Sequence, residues 1–332
     1  MPTILKDKNI VLGVTGSIAC YKAIDLASKL TQLGAAVDVV MTHSATEFIS
    51  PLTFQSITHR NVVSDLFEPQ SNMAINHVIL AERADVIIVA PATASTIAKI
   101  ANGISDDALG TTLLATRAPT IIAPAMDGNM FDNPATQKNI ATLIERNFFI
   151  AGPENGRLAS GMTGTGRLLD TSKLIGAICM TLGRSGDLTN SNILVSAGGT
   201  HEAIDPARII TNRSSGKMGY VIAEAARDRG AYVTLVTAPS HLDDLVGVNT
   251  IKVVSALDMK TQIESEYEKS DAIIMAAAVS DWSPKIYSEE KLKKHESNES
   301  SIDLIKNTDI ISSVNKPGLI KVGFAAETEN IE

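Results

Sequence analysis

Asn9-Ile10-Val11-Leu12-Gly13-Val14-Thr15-Gly16-Ser17-Ile18, residues 9–18, is the stretch on which the fold turns. Asn9–Val14 is an apolar run of strand length. A small-residue turn carries it into Ile18–Leu33, whose apolar spacing is helical and which Gly34 closes. Ala36–Met41 is a second strand. A strand, a helix and a strand in this succession make a β–α–β unit, which joins parallel strands and covers one face of their sheet.

The same alternation continues outward. Asp85–Ala90 and Thr120–Ala123 are β-branched runs of the kind buried on both faces of a parallel sheet. Ser95–Ala101, Asp106–Ala115 and Pro134–Arg146 read as helices, the last with Asn133 as N-cap and Pro134 in its first turn. After Thr171–Gly186 a second series begins. It runs strand Ile193–Ser196, helix Ser215–Arg229 ended by Gly230, strand Tyr232–Thr237, helix Leu257–Lys269 and strand Ala272–Ala277. Ser185-Gly186-Asp187-Leu188-Thr189-Asn190 is polar and turn-prone, and a boundary near residue 188 divides the chain into domains 1–188 and 189–332. The expectation is two α/β domains in tandem, the first a doubly wound sheet.

The 332 residues suffice for two domains with their own cores. No apolar run reaches the roughly 20 residues of a membrane span. The N-terminus lacks the apolar core of a signal peptide, so the expected address is cytoplasmic, with no membrane partner. A net charge of −8 argues against nucleic acid as a partner, because neutralising its phosphates takes a basic surface. A small anion held by a few local cations remains open. Cys20 and Cys179 fit no metal spacing and read as buried thiols.

Residues 13–18 join strand to helix with small side chains that let backbone N–H groups and a hydroxyl reach a phosphate at a helix start. Strand-to-helix turns are also Gly-rich for other reasons, and the third Gly of a dinucleotide fingerprint is missing here. Ala90–Thr96 and Ala123–Met130 fall at strand C-terminal ends, where ligands bind in open α/β sheets. Their hydroxyls suit a phosphate and Met126 and Met130 suit a flat ring; alternatively the threonines cap helices and the methionines fill core. His77 precedes a short helical stretch and is either structural or catalytic. Leu158–Arg167 is a Gly-rich connector, or a lid with Gly hinges.

Taken in order, these five segments resemble the homo-oligomeric flavin-containing cysteine decarboxylases over residues 8–182. The particular match is the decarboxylase half of the bifunctional phosphopantothenoylcysteine decarboxylase/phosphopantothenate–cysteine ligases of coenzyme A synthesis. The resemblance implies a flavodoxin-like domain that binds FMN, its phosphate near Gly16 and Ser17, with Thr42, Thr93, Ala94, Ser95, Thr96 and Met130 as further cofactor contacts. It also implies a trimer-based homo-oligomer with FMN at subunit contacts. In that chemistry the flavin takes electrons from the thiol end of the substrate so that carbon dioxide can leave, then returns them. His77 holds the position of the family's active-site histidine. Asp127 stands where the family often has Asn, and Ser160 where it often has a proton-donating Cys; both are carried over as catalytic positions.

In the second half, Ser196-Ala197-Gly198-Gly199-Thr200 precedes Thr211-Asn212-Arg213-Ser214-Ser215-Gly216-Lys217-Met218-Gly219, which has the polar, small-residue chemistry of an anion site. A Walker loop is excluded, because Thr211 stands at its first Gly and Met218 at its magnesium-binding hydroxyl. Free N–H groups and hydroxyls at a helix start suit a phosphate; alternatively Ser214 or Ser215 is an ordinary N-cap. The segment 276–282 ends a buried strand with Asp281, a natural ribose or metal ligand. Lys291-Leu292-Lys293-Lys294 suits a triphosphate or simply faces solvent.

Five motifs then occur in order. They are Gly-Gly-Thr-x-Glu-x-Ile-Asp-Pro from 198, Asn-x-Ser-Ser-Gly-Lys-Met-Gly from 212, Ala-Ala-Val-x-Asp from 277, Lys-x-Lys-Lys from 291 and Gly-Phe-Ala-Ala-Glu-Thr from 323. The series resembles the ligase half of the same bifunctional family over residues 191–332. It implies a Rossmann-like, dimerising ligase domain that uses CTP and Mg2+. In that reaction 4′-phosphopantothenate is activated as an acyl-cytidylate, and cysteine then displaces CMP. The resemblance places Asn212 at the activated acyl group with Arg208 nearby, and Lys291 at the transferring phosphate. It assigns Met275, Ala276, Ala277, Asp281, Thr308, Asp309, Ile310, Ile311 and Phe324 to CTP, with Thr308 where a Pro is frequent. The family continues past Gly-Phe-Ala-Ala-Glu-Thr while this chain stops at Glu332, so an incomplete ligase half is expected. A ligase whose FMN domain is structural or regulatory is the alternative, motivated by Asp127 and Ser160. A generic NAD-dependent oxidoreductase is disfavoured by the missing fingerprint.

Overall fold

The computed structural model describes residues 3–66, 76–293 and 301–325. The chain divides into two compact units, Met1–Leu182 and Gly183–Glu332.

The first unit begins with β1 (Asn9–Val14), α1 (Cys20–Gln32), β2 (Ala36–Met41), α2 (His43–Thr46), α3 (Pro51–Thr58) and α4 (Asn76–Arg83). It continues with β3 (Val86–Ala92), α5 (Ala94–Asn102), α6 (Ala108–Ala115), β4 (Thr120–Pro124), α7 (Gly128–Phe131) and α8 (Pro134–Glu145). β5 (Phe149–Ile150), β6 (Glu154–Arg157), β7 (Thr163–Arg167) and α9 (Thr171–Gly183) complete the series. Five strands pair in parallel in the order β2-β1-β3-β4-β5. This is the flavodoxin-like order, in which the winding reverses between β1 and β3. Every residue of β3 and β4 is buried, as the β-branched runs lead one to expect of strands covered on both faces. Val11, Ile87, Val89 and Ile122 pack against Leu80 of α4, Ile97 of α5, Leu109 of α6 and Leu143 of α8. α1 buries Cys20, Ala23, Leu26, Ala27 and Leu30 at helical spacing against β1, β2 and β3.

Caps set where the helices start. Thr93 Oγ1 accepts from Thr96 N at 3.3 Å, and Asn133 Oδ1 accepts from Ala135 N at 2.9 Å. Asp107 Oδ1 accepts from Gly110 N at 2.7 Å, so α6 begins two residues later than its apolar spacing suggests. The Gly-rich segment Leu158–Arg167 is not loop throughout. Thr163–Arg167 is β7, paired antiparallel with β6, and Leu158 N donates to Met162 O at 2.8 Å to close a tight tip.

The second unit contains β8 (Asn192–Ala197), β9 (His201–Asp205), β10 (Arg208–Thr211), α10 (Lys217–Arg227), β11 (Tyr232–Thr237) and β12 (Asn249–Lys252). α11 (Ala256–Glu266), β13 (Ala272–Met275), β14 (Trp282–Pro284), β15 (Leu304–Lys306), α12 (Ile310–Ser313) and β16 (Ile320–Gly323) follow. Its parallel sheet runs β12-β11-β8-β13-β16, a Rossmann-like order whose winding reverses between β8 and β13. Val195, Ala197 and Leu235 pack on Tyr220, Ala223 and Ala226 of α10. Leu194, Val236 and Ile273 pack on Met259 and Ile263 of α11. Neither Ser214 nor Ser215 is the N-cap of α10. Gly216, at φ +74°, takes that position, and the two hydroxyls accept from the N–H two residues ahead, at 3.3 and 3.4 Å. Among the described residues no helix is long and apolar enough to cross a membrane.

Candidate functional site

In the first unit β1 and β3 end side by side, and a buried threonine stitches their ends together. Thr15 Oγ1 donates to Pro91 O at 2.7 Å and accepts from Thr93 N at 3.1 Å. Sequence reasoning passed over Thr15; its signal was a hydroxyl set between Gly13 and Gly16 at a strand end. Gly16 presses on α2, where a Cβ would lie 2.4 Å from Ser44 Cβ. Thr42 ends the run of β2 and precedes α2. Its Oγ1 is buried and has no hydrogen-bond partner among the described residues. A buried hydroxyl left unpaired costs about 1–3 kcal/mol. An oxygen-rich anion arriving at this edge would remove that cost, so the residues here fit a phosphate. Thr93 Oγ1 also lies 3.1 Å from Thr96 Oγ1 at the start of α5, with Ala94 half-buried and Ser95 exposed.

A cavity of about 500 Å³ involves the same end of the sheet. Ser17 from the turn before α1, Tyr21 from its first turn, Asp127 after β4, and Arg157 and Ser160 from the β6–β7 hairpin line it. Ser160 Oγ donates to Asp127 Oδ2 at 3.0 Å, while Asp127 Oδ1 accepts from Asn129 N at 3.1 Å and caps α7. The two positions of the first half that depart from the resembled family therefore touch each other. The hairpin is held from below. Met126 N donates to Gly166 O at 3.0 Å, and Lys22 Nζ donates to Leu168 O at 3.0 Å and Asp170 Oδ1 at 2.7 Å. That hydrogen bond from Lys22 holds the Asp170 carboxyl below its ordinary range. Lys22 gave no signal in the sequence beyond its place on α1. His77, at the start of α4, and Met130, half-exposed in α7, are not among the lining residues.

In the second unit β8 and β13 end side by side in the same way. Ala278 N donates to Gly198 O at 2.8 Å, and Ser280 N donates to Thr200 Oγ1 at 2.9 Å. Gly219 lies so close to β8 that a Cβ would fall 2.6 Å from Ala197 Cβ. Close helix–strand packing is the work of the third Gly in a dinucleotide fingerprint. Here the β9–β10 hairpin is inserted before that Gly, which is why the fingerprint spacing cannot be seen. Asn212 Nδ2 donates to Ala278 O at 3.3 Å and Val279 O at 3.1 Å, fastening the loop before α10 to the segment after β13. Asp281 is exposed beside it in sequence, and Ala276 and Ala277 are half-buried.

Arg208 is engaged by a carboxylate and a carbonyl of its own unit. Its Nε donates to Asp205 Oδ2 at 2.9 Å, and its Nη2 donates to the same oxygen and to Leu292 O at 3.0 Å. Arg208 holds the carboxyl of the fully buried Asp205 side chain well below the usual carboxylate range. Met275 and Ile310 belong to the core with Leu194 and Val236, and Ile311 packs against it, so Met275 and Ile310 can offer a ligand only backbone atoms. Asp309 caps α12 by accepting from Ile311 N at 3.2 Å; Thr308, Phe324 and Lys291 are exposed. Lys294 and residues 326–328 of the last motif lie outside the described residues. Among the described residues no group of three His, Cys, Asp or Glu is arranged to hold a metal ion.

Residues 2–183 match the flavoprotein family, and residues 188–332 match the DNA/pantothenate metabolism flavoprotein C-terminal domain. The coenzyme A biosynthesis bifunctional protein CoaBC of Vibrio cholerae is 45% identical over 334 residues, covering 99% of this chain and 83% of that protein. Its Bacillus subtilis counterpart is 45% identical over 333 residues, covering 99% and 82%. A solved PPC decarboxylase variant complexed with pantothenoylaminoethenethiol is 30% identical, with a TM-score of 0.48, over 52% of this chain and 97% of that one.

Proposed function

The chain belongs to the family of coenzyme A biosynthesis bifunctional proteins CoaBC, and on that premise we propose how its residues divide the work. It is a bifunctional enzyme with decarboxylase and ligase activities, and its first half is a flavoprotein domain. Residues 1–188 carry the decarboxylation of phosphopantothenoylcysteine, and residues 189–332 the CTP-dependent joining of 4′-phosphopantothenate to cysteine. The observation that carries the first assignment is the Ser160–Asp127 hydrogen bond inside a cavity at the switch-point end of a flavodoxin-like sheet.

Gly16, Ser17, Thr42 and the Thr93–Thr96 segment hold the FMN phosphate, and the unpaired Thr42 hydroxyl supports that reading. When bound, FMN supplies the electron sink for decarboxylation. Both oxygens of Asp127 accept hydrogen bonds, one from Ser160. Ser160 Oγ is thereby held at the cavity with its one proton on Asp127, which leaves its lone pairs to orient a water that delivers a proton to the carbon that loses carbon dioxide. His77 reaches that site from a second copy. The exposed Ile18, Tyr21, Phe48 and Leu52 support a trimer-based homo-oligomer, with the ligase halves pairing as dimers.

In the ligase half, a carboxylate oxygen of 4′-phosphopantothenate attacks the α-phosphorus of CTP and pyrophosphate leaves. The cysteine amine then attacks the acyl carbon, CMP leaves and the amine gives up a proton. Lys291 stabilises the phosphoryl charge, Asn212 faces the acyl group, and Asp281 and Phe324 bound the nucleotide. Asp281 is the carboxylate that would meet Mg2+ carried by the nucleotide phosphates.

The purified protein should be yellow with bound flavin and should release carbon dioxide from phosphopantothenoylcysteine. It should release pyrophosphate from CTP only when 4′-phosphopantothenate is present. A colourless protein that refuses added FMN overturns the first assignment. Absence of any 4′-phosphopantothenate-dependent pyrophosphate release overturns the second.

A further inference from the structure

Asp205 and Arg208 flank the turn between β9 and β10, yet their hydrogen bonds reach beyond that hairpin. Asp205 Oδ1 accepts from Ala207 N at 2.8 Å and Arg208 N at 2.9 Å. Asp205 Oδ2 accepts from Arg208 Nε, Arg208 Nη2 and Leu292 N, the last at 3.1 Å. These five donors fill the roughly four lone-pair directions of a carboxylate, which leaves Asp205 no capacity to ligate a metal. Arg208 Nη2 in turn donates to Leu292 O at 3.0 Å, and Ser288 N donates to Ile204 O at 3.1 Å. One ion pair thus holds both backbone polar groups of Leu292, inside a segment, 285–293, that belongs to no helix or strand.

Lys291 is the residue before. A lysine carries a compact charge on a flexible four-carbon stem, so its effect on a phosphate depends on where its backbone is held. A misplacement of about 1 Å in a reacting arrangement can cost about 100-fold in rate. We propose that the Asp205–Arg208 pair is a positioning device for the ligase reaction, fixing the backbone at Leu292 so that Lys291 stands at the α-phosphate of the bound nucleotide. The proposal rests on the assignment of Lys291 to the transferring phosphate. In this proposal the pair acts through the backbone of Leu292 and not on the reacting atoms. It lies on the connection that leaves the Gly198-Gly199-Thr200 turn, so the strand-end turn and the cation are referred to one another through a short stretch of chain.

The test uses the full chain with Asp205→Asn, Lys291→Ala and the double variant, each assayed for 4′-phosphopantothenate-dependent pyrophosphate release from CTP. Asp205→Asn should lower kcat about 10- to 100-fold with KM for CTP within about twofold. The double variant should be no more than about twofold slower than Lys291→Ala, because both changes remove one function. Backbone hydrogen exchange of Asp205→Asn should show lost protection over 285–293 while β8 and β13 keep theirs. Multiplicative losses in the double variant, or lost protection throughout the sheet, would overturn positioning in favour of a purely structural role. An impaired Lys291→Ala beside a normal Asp205→Asn overturns positioning alone. A normal Lys291→Ala overturns the role of Lys291 and positioning with it.

Discussion

At the scale of single residues, the Thr42 hydroxyl is buried with no partner among the described residues. Thr42 could be picked out from the resemblance, but nothing in the sequence tells of that burial. Thr42→Val removes that hydroxyl at nearly constant volume. The fold should be unaffected, while FMN affinity should fall about tenfold or more, the worth of a hydrogen bond to a charged group. Titration of the apoprotein by flavin fluorescence checks this, and an unchanged dissociation constant would remove Thr42 from the phosphate site. Asn212 teaches the converse. Its carboxamide donates to two carbonyl oxygens, so Asn212→Asp would set a carboxylate against them. Ligation should drop at least about tenfold, and normal amide formation would show that this fastening is dispensable. Arg208 shows the same dependence on neighbours. A resemblance carries a residue type to a position, whereas the buried carboxylate three residues earlier decides where the guanidinium goes.

At the scale of elements, strands and helices of regular period were readable and the hairpins were not. β1 and β2 fall where the apolar runs place them, because a strand buried on both faces announces itself by composition. β6–β7 and β9–β10 carry little apolar pattern, so their pairing depends on neighbours rather than on period. Gly166 shows how tightly the first of these hairpins is set. A Cβ there would lie 2.2 Å from Met126 O, against backbone that cannot swing aside. Gly166→Ala should push the β6–β7 hairpin off the β4–α7 loop, break the Met126–Gly166 hydrogen bond and displace Ser160 from the cavity. Decarboxylation should fall about 100-fold, with a destabilisation of about 1–3 kcal/mol. Carbon dioxide release and a urea melt measure the two effects, and wild-type turnover would argue against a positioned hairpin.

At the scale of the whole molecule, acid should loosen each unit through its hydrogen-bonded carboxylates, Asp170 and Asp205 among them. Hydrogen bonds from Lys22 and Arg208 respectively lower the Asp170 and Asp205 carboxyls in the folded state. The unfolded chain titrates near the ordinary aspartate value of about 3.9. Their stabilising contribution is therefore complete above that pH and is lost as the pH falls through the folded values. Urea midpoints should be insensitive to these groups from pH 7 to 5 and should decline below about pH 4. Asp170→Asn should make that decline less steep, and an unaltered acid slope would count against the Lys22 anchor. Native mass spectrometry should give multiples of three chains; a monomer that decarboxylates would show that one copy suffices without His77 from another. The sequence by itself determined two wound α/β units and the order of their motifs, because apolar period and glycine placement are local properties of the chain. Only the tertiary structure decided which residues meet. The Ser160–Asp127 bond, the unpaired Thr42 hydroxyl and the Asp205–Arg208 hold on Leu292 each join segments far apart in sequence, or depend on exclusion of water. Contacts of that kind come from packing and carry no periodic mark along the chain.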